Sequence, residues 1–314
     1  ASTENQIIAS TVPISSGYTE QVVNGGEVRS RGVEVILGLT PVYKNNFRWE
    51  AQFNFSTNRA TVEQLPTGID RLTLAYSRVY DNVNQTVWFQ VEEGGRIGDM
   101  YGTGYLRNEN GDFVIDDNGR YIVDNNLQLL GNFNPDFILG FSNRFTYKNW
   151  NLGLLLDWRQ GGTIVSRSLS LAAVGGQLIE TVDRPEAGIV AEGVVNTGSE
   201  ENPVWAPNTT AVNAESYYRQ FYDRNHEENN TYDASYLKIR EFSLGYTFAN
   251  RGSFFQNGRS LSLALIGRNL YAFSAIPHFD PEQLAVQGSQ FVSGVEDMSY
   301  ATTRSWGLKL GLNF

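Results

Sequence analysis

Two histidines, a run of aspartates and a group of aromatic residues hold whatever chemistry this sequence could perform. His226 lies within Asp223-Arg224-Asn225-His226-Glu227-Glu228-Asn229-Asn230, and His278 lies two residues before Asp280. A histidine beside a carboxylate does acid–base work only where a nucleophile or water converges on it. No such convergence is legible in the chain, so both stretches read as polar loop tips and no catalytic residue is assigned. Asp112, Asp116, Asp117 and Asp124 invite a calcium reading, but the regular D-x-[DN]-x-[DN]-G spacing is missing. They flank Asn110-Gly111 and Asn118-Gly119, which read as type I′ turns, and turn chemistry accounts for them. The glycine pairs Gly94-Gly95, Gly161-Gly162 and Gly175-Gly176 build neither a dinucleotide fingerprint nor a phosphate loop. No metal and no cofactor is expected. The aromatics Trp88, Tyr101, Tyr105, Trp205, Tyr217, Tyr218, Phe221 and Tyr222 fall outside the strongly alternating segments. They could stack on sugar rings, line the underside of a lid, or form small cores that keep long loops folded. The loop-core role fits most of them.

Composition narrows the setting. The absence of cysteine excludes disulfides and thiolate metal sites. A net charge of −10 argues against a nucleic-acid partner. No stretch approaches the roughly 20 apolar residues of a membrane-spanning helix. That leaves a β-barrel open, because lipid-facing and lumen-facing residues alternate along its strands and average out. The first residues, Ala1-Ser2-Thr3-Glu4, show neither a basic region nor an apolar signal core. An exported protein beginning this way is expected to be mature or part of something longer.

The elements that position these residues are alternating strands. Trp306, Leu308, Leu310, Leu312 and Phe314 occupy one face of the final stretch, with Gly307, Lys309, Gly311 and Asn313 between them. An amphipathic strand closing on an aromatic carboxy-terminus reads as a barrel-assembly signal. The cleanest alternation sets Phe47, Trp49, Ala51, Phe53 and Phe55 against Arg48, Glu50, Gln52, Asn54 and Ser56. A helix would smear those aromatics around its circumference, and the opposite face is too polar for a sandwich core. Val33 to Leu39, ended by Pro41, precedes it. The same design recurs in Phe137–Tyr147, in Trp150–Trp158, in Glu241–Phe248 and in Leu261–Ile266. The expected lumen-facing residues are Arg48, Glu50, Gln52, Asn54, Asp157 and Arg159. Residues 6–12 read as the upper end of one more strand, and Pro13 to Gly26 as turns. The predicted fold class is an all-β transmembrane antiparallel barrel wall of seven clear strands and one partial strand.

The connections are lopsided. Residues 43–46, 148–149 and 249–258 are short, whereas 59–135, 161–234 and 271–302 are long. Outer-membrane barrels have short periplasmic turns and long extracellular loops. With the carboxy-terminus in the periplasm, every connection falls on the side its length requires. Three functions stay open on this reading: part of an active importer, a stand-alone small barrel serving as anchor or adhesin, or an outer-membrane enzyme, the last being the weakest.

Several segments together resemble the SusC-type, RagA-like, TonB-dependent transporters. They are Ser30-Arg31-Gly32-Val33-Glu34, Gly98-Asp99-Met100-Tyr101-Gly102, Leu130-Gly131-Asn132-Phe133-Asn134-Pro135 and Arg159-Gln160-Gly161-Gly162, followed by the run from Asp233 to Glu241, Gly267-Arg268-Asn269-Leu270, Asp280-Pro281-Glu282 and Thr303-Arg304-Ser305-Trp306-Gly307. The resemblance implies that residues 1–314 are the carboxy-terminal third of a barrel of about 22 strands, with the plug, the TonB box and about fourteen strands lying outside this chain. It implies an outer-membrane location in a Gram-negative bacterium and import of oligosaccharides or peptides. It also implies three kinds of partner: TonB, engaged through the amino-terminal part, a SusD-like surface lipoprotein acting as a lid, and the remainder of the barrel in outer-membrane lipid. The acidic loop that looks calcium-binding in many relatives is reduced here to the two Asn-Gly turns, so no metal is carried over.

Overall fold

A computed structural model describes the chain except for residues 6, 12–19, 80–81, 224–225, 250–258, 277, 288–289 and 314. Alternation of large apolar and polar side chains over 9 to 18 residues builds seven strands of one eight-stranded antiparallel sheet, the eighth having three residues, and all are neighbours in chain order. The strands are β1 (Ser2–Glu4), β2 (Glu27–Lys44), β3 (Phe47–Gln64), β4 (Phe137–Tyr147), β5 (Trp150–Gln160), β6 (Tyr236–Ala249), β7 (Ser260–Ser274) and β8 (Ser305–Asn313). Two-residue turns at 45–46 and 148–149 join β2 to β3 and β4 to β5. The turn expected at 249–258 lies almost wholly outside the described residues. Among the described residues no helix is long and apolar enough to cross a membrane. The wall crosses with strands instead.

The register carries each face across the sheet. Leu37, Phe53, Phe141 and Leu156 form one apolar row, and the Phe53 and Phe141 rings stack at 4.2 Å. Such cross-strand aromatic pairs are a main source of sheet stability. Trp150, Tyr246, Leu263 and Leu310 form another row. Asn143 breaks the alternation. It sits in register with Ala51 and Leu154 on the apolar face, yet is only 5 % exposed because the Trp49 indole covers it and donates to its amide oxygen at 3.1 Å. Trp306 likewise lies over Gly267 of β7, covering a residue that has no side chain of its own. A Cβ at position 267 would fall 2.7 Å from Trp306 Cζ3. Gly267→Val should therefore cost about 1–3 kcal/mol through overpacking, read as a lower urea midpoint for unfolding from lipid vesicles.

Four local expectations are corrected. Pro41 does not end its strand: β2 continues to Lys44, with a register shift between Leu39 and Val42 that absorbs the proline. The amino-terminal wall segment is the short Ser2–Glu4, paired with β2, and not residues 6–12. Ile7–Thr11 instead pairs with Glu20–Asn24, a strand within the stretch read as turns. The two Asn-Gly turns are not type I′, because Asn110 and Asn118 do not have positive φ whereas Gly111 and Gly119 do. Asn108 Oδ1 accepts from the backbone N–H groups of Asn110 and Asp112, and Asp116 Oδ1 accepts from those of Asn118 and Arg120. Side-chain capping stabilises a different turn from the one the dipeptide signals.

The long connections, 65–136, 161–235 and 275–304, are folded structures. The first holds a four-stranded sheet ordered Val123–Asn132, Asp99–Tyr105, Asn82–Glu92, Arg71–Val79. The second holds helices α1 (Arg167–Val174) and α2 (Ala214–Phe221). Ser166 caps α1 by accepting from the N–H of Leu169, and Asn213 caps α2 from that of Ser216. All three connections contribute to one buried cluster of Val87, Phe89, Met100, Val165, Ala285 and Val295. They form a common canopy over one end of the wall.

Candidate functional site

The polar face and the canopy meet at a charged cluster. Strand register sets Asn54, Gly140, Asp157 and Lys238 side by side, and next to them Ser56, Ile138, Arg159 and Tyr236. All six residues expected on the polar face lie on that one face. Arg48 pairs with Glu50 at 2.7 Å, and Gln52 donates to Asn54 at 3.0 Å.

Asp157 belongs to a network that also includes Tyr236, Lys238, Arg240, Asp280 and Glu282. Arg240 follows Tyr236 and Lys238 onto the polar face, and a β-bulge between Ile239 and Glu241 leaves it without an opposing residue. There it donates to Asp157, with Nε at 2.9 Å, and to Glu282, with Nη1 at 2.6 Å. Lys238, with a side chain only 6 % exposed, donates to Asp280 and to Glu282, the latter at 2.6 Å. The Tyr236 hydroxyl donates to Glu282 at 2.9 Å, and Thr302 donates to Asp280 at 2.8 Å. Burial works to raise the Glu282 carboxyl, but hydrogen bonds from Arg240, Lys238 and Tyr236 overcome it and hold the group at about 2. The network fastens the third connection to the wall. Beside it opens a cavity of about 460 Å³, lined in part by Lys238, Tyr271, Ser274, His278, Asp280 and Arg304.

Asp157 and Arg159 were legible from alternation. Alternation does not single out Tyr236, Lys238, Arg240, Asp280 and Glu282 as site residues, although the run from Asp233 to Glu241 and Asp280-Pro281-Glu282 both stand out in the sequence. Their signal is two cations two residues apart on a strand, which period two sets on one face, and two acids two residues apart in a loop.

The loop aromatics divide. Tyr105 is 1 % exposed, its hydroxyl donates to the carbonyl of Gln220, and it packs with Ile115, Tyr121 and Phe113. Tyr101 is also buried, with Arg71 stacked 4.9 Å over its ring. Both belong to the loop core, which corrects their candidacy as solute contacts. Tyr217 and Phe221 pack against the same core, and Tyr222 stands edge-on to Phe221. Trp88 is in register with Tyr101 on the neighbouring strand. Tyr218 donates to the carbonyl of Asp183 at 2.9 Å, and the Trp205 indole donates to the Glu109 carboxylate at 3.1 Å. These last two stay near the surface.

The histidines do not converge. His226 Nδ1 lies 3.1 Å from Thr103 Oγ1, whereas His278 Nε2 meets the Glu180 carboxylate at 2.9 Å. Asp280, close to His278 in sequence, is committed to Lys238. On β8, Trp306, Leu308, Leu310 and Leu312 share the apolar face, each more than half exposed. Phe314, expected to complete that row, lies outside the described residues.

An antiparallel wall with one continuous apolar face, one charged face and long connections at one end defines a transmembrane β-barrel. No family model matches the chain. TonB-dependent receptor P3 of Formosa agariphila is 25 % identical to it, covering 99 % of this chain and 31 % of the relative. TonB-dependent receptors P26 and P39 of the same organism are 22 % and 24 % identical, over 99 % and 96 % of the chain. The fold is shared with solved structures of the RagAB peptide transporter, at a TM-score of 0.61 with 18 % identity over 99 % of this chain and 32 % of that one, and with the RagAB peptide importer in its "open-open" state, at 0.60 and 17 %. The resemblance to SusC-type TonB-dependent transporters and the barrel fold it implies are borne out. The chain spans about a third of the length of the curated relatives it matches.

Proposed function

We propose that this chain is the carboxy-terminal part of an outer-membrane transporter in a Gram-negative bacterium, one that imports a bulky nutrient by TonB-dependent gating. The observation that carries this reading is the pairing of a charged face with a folded canopy, in a chain similar to TonB-dependent receptors over 99 % of its length. Arg48, Glu50, Gln52, Asn54, Asp157 and Arg159 would line a water-filled lumen, and the apolar rows would face lipid. The canopy offers far more ordered surface than a diffusion pore needs. Trp88, Trp205, Tyr217, Tyr218 and Tyr222 are the aromatics left to meet a solute or a lid. A plug and the remaining strands would come from outside this chain, and β1 and β8, which stand at opposite edges of the sheet, would pair with them.

The solute is a peptide or an oligosaccharide, and a SusD-like surface lipoprotein serves as the lid. The RagAB structures are of a peptide transporter, which favours the peptide. Affinity purification of the whole protein from native membranes should recover a lipoprotein, and loss of TonB should abolish uptake. No co-purifying lipoprotein, together with uptake unaffected by loss of TonB, would reduce the protein to a passive barrel.

A further inference from the structure

We propose that Glu227 and Arg167 form a pH-sensitive clasp holding the three long connections together at their shared core. Arg167 opens α1 in the second connection, is 4 % exposed, and donates to the carbonyl of Ser77 at 2.6 Å and to its hydroxyl at 3.1 Å, both in the first connection. Its Nε stands 3.6 Å from Glu227 Oε1, beyond hydrogen-bond range, so protonating the carboxyl breaks no hydrogen bond of the clasp. Glu227 is 1 % exposed and lies against Gly102 of the first connection, where an added Cβ would come within 3.2 Å of its own. Among the described residues neither carboxylate oxygen of Glu227 accepts a hydrogen bond. The third connection enters through Glu296, whose carboxylate accepts from Ser166 and Ser168 at the start of α1.

Among the described residues, three charged groups act on Glu227. Arg167 faces it from α1, Asp297 from the third connection, and Asp223 from the segment after α2. The adjacent side chains are occupied elsewhere: His226 with Thr103, and Glu228 with Arg107 and the N–H of Tyr105. On the facing strand, Asp99 accepts from Asn132 and from the N–H of Arg96. Charge on a buried carboxylate without hydrogen bonds is costly. Burial therefore pushes the Glu227 carboxyl up to about 7, Arg167 opposing this and Asp297 and Asp223 adding to it. A carboxyl raised in the folded state binds its proton more tightly there than in the opened state. The clasp is then at full strength below the ordinary value of 4.5 and weakens as pH rises through about 7. Acidity closes the canopy, and neutral to alkaline pH loosens it.

Hydrogen–deuterium exchange between about pH 5 and about pH 8.5, on the protein extracted from outer membranes into nanodiscs, reads this directly. After correction for the intrinsic exchange rate, protection of residues 87–91, 163–166 and 295–296 should fall roughly tenfold or more across that range. Glu227→Gln, which cannot ionise, should keep the same segments protected throughout. An equal fall in Glu227→Gln, or none in the parent protein, overturns the clasp. Should Glu227→Gln not assemble, Asp297→Asn carries the test. Removing that repulsion should move the midpoint to lower pH, and an unmoved midpoint overturns the proposal. The outcome does not depend on which solute the protein carries.

Discussion

Leu310→Arg is expected to destabilise the wall by about 2–4 kcal/mol, whereas Lys309→Arg, one residue away, should be nearly neutral. Leu310 sits mid-strand on the apolar face, beside Leu263 of β7 and in the row that runs to Tyr246 and Trp150. Its side chain is 63 % exposed in the chain, so lipid is the medium that covers it. A guanidinium there would be desolvated with no partner in reach. Lys309 pairs with Ala264 on the opposite face, where a longer cation stays in water. Denaturant titrations of folding into lipid vesicles measure both. Equal tolerance of the two changes would refute the face assignment.

Removing the ammonium in Lys238→Ala should release the third connection from the wall at a cost of about 3–5 kcal/mol, the range for breaking one side of a buried ion pair. Lys238 is the most buried member of its network, and its loss leaves Asp280 and Glu282 facing each other without the cation between them. Limited proteolysis should show new cleavage within residues 275–304 while β6 and β7 stay intact. Acid should do the same by another route. Glu282 is held at about 2, below its ordinary 4.5, so its contribution is present above about 4.5 and lost as pH falls through about 2. Protection that survives either treatment would mean the loop is held by packing alone.

The wall was legible because lipid on one side and water on the other impose a period of two on every strand, so each strand advertises itself locally. Even the exceptions are local. Pro41 reads as a stop until the register shift beside it is seen, and Asn143 is a polar residue in an apolar row until Trp49 is placed over it. The site was legible only in its wall half, in Asp157 and Arg159. Arg240 meets Asp157 across 83 residues of chain and Glu282 across 42. No periodicity encodes which loop acid returns to which strand cation. The canopy core was hidden for the same reason, since Val87, Val165 and Val295 come from three different connections.

That shared core bears on how the outer surface can change. Loops that fold separately can be exchanged one at a time, and antibodies or phage that select against one leave the others free to stay as they are. Here a substitution at Met100 or Val165 disturbs three loops at once, because all three close on the same cluster. Variation between strains should therefore concentrate in tips that stand clear of it, such as residues 108–112 and 197–204, which close on their own turns. An antibody raised against the cluster's immediate surroundings would bind an epitope assembled from all three loops, and it would lose that epitope whenever the canopy opens.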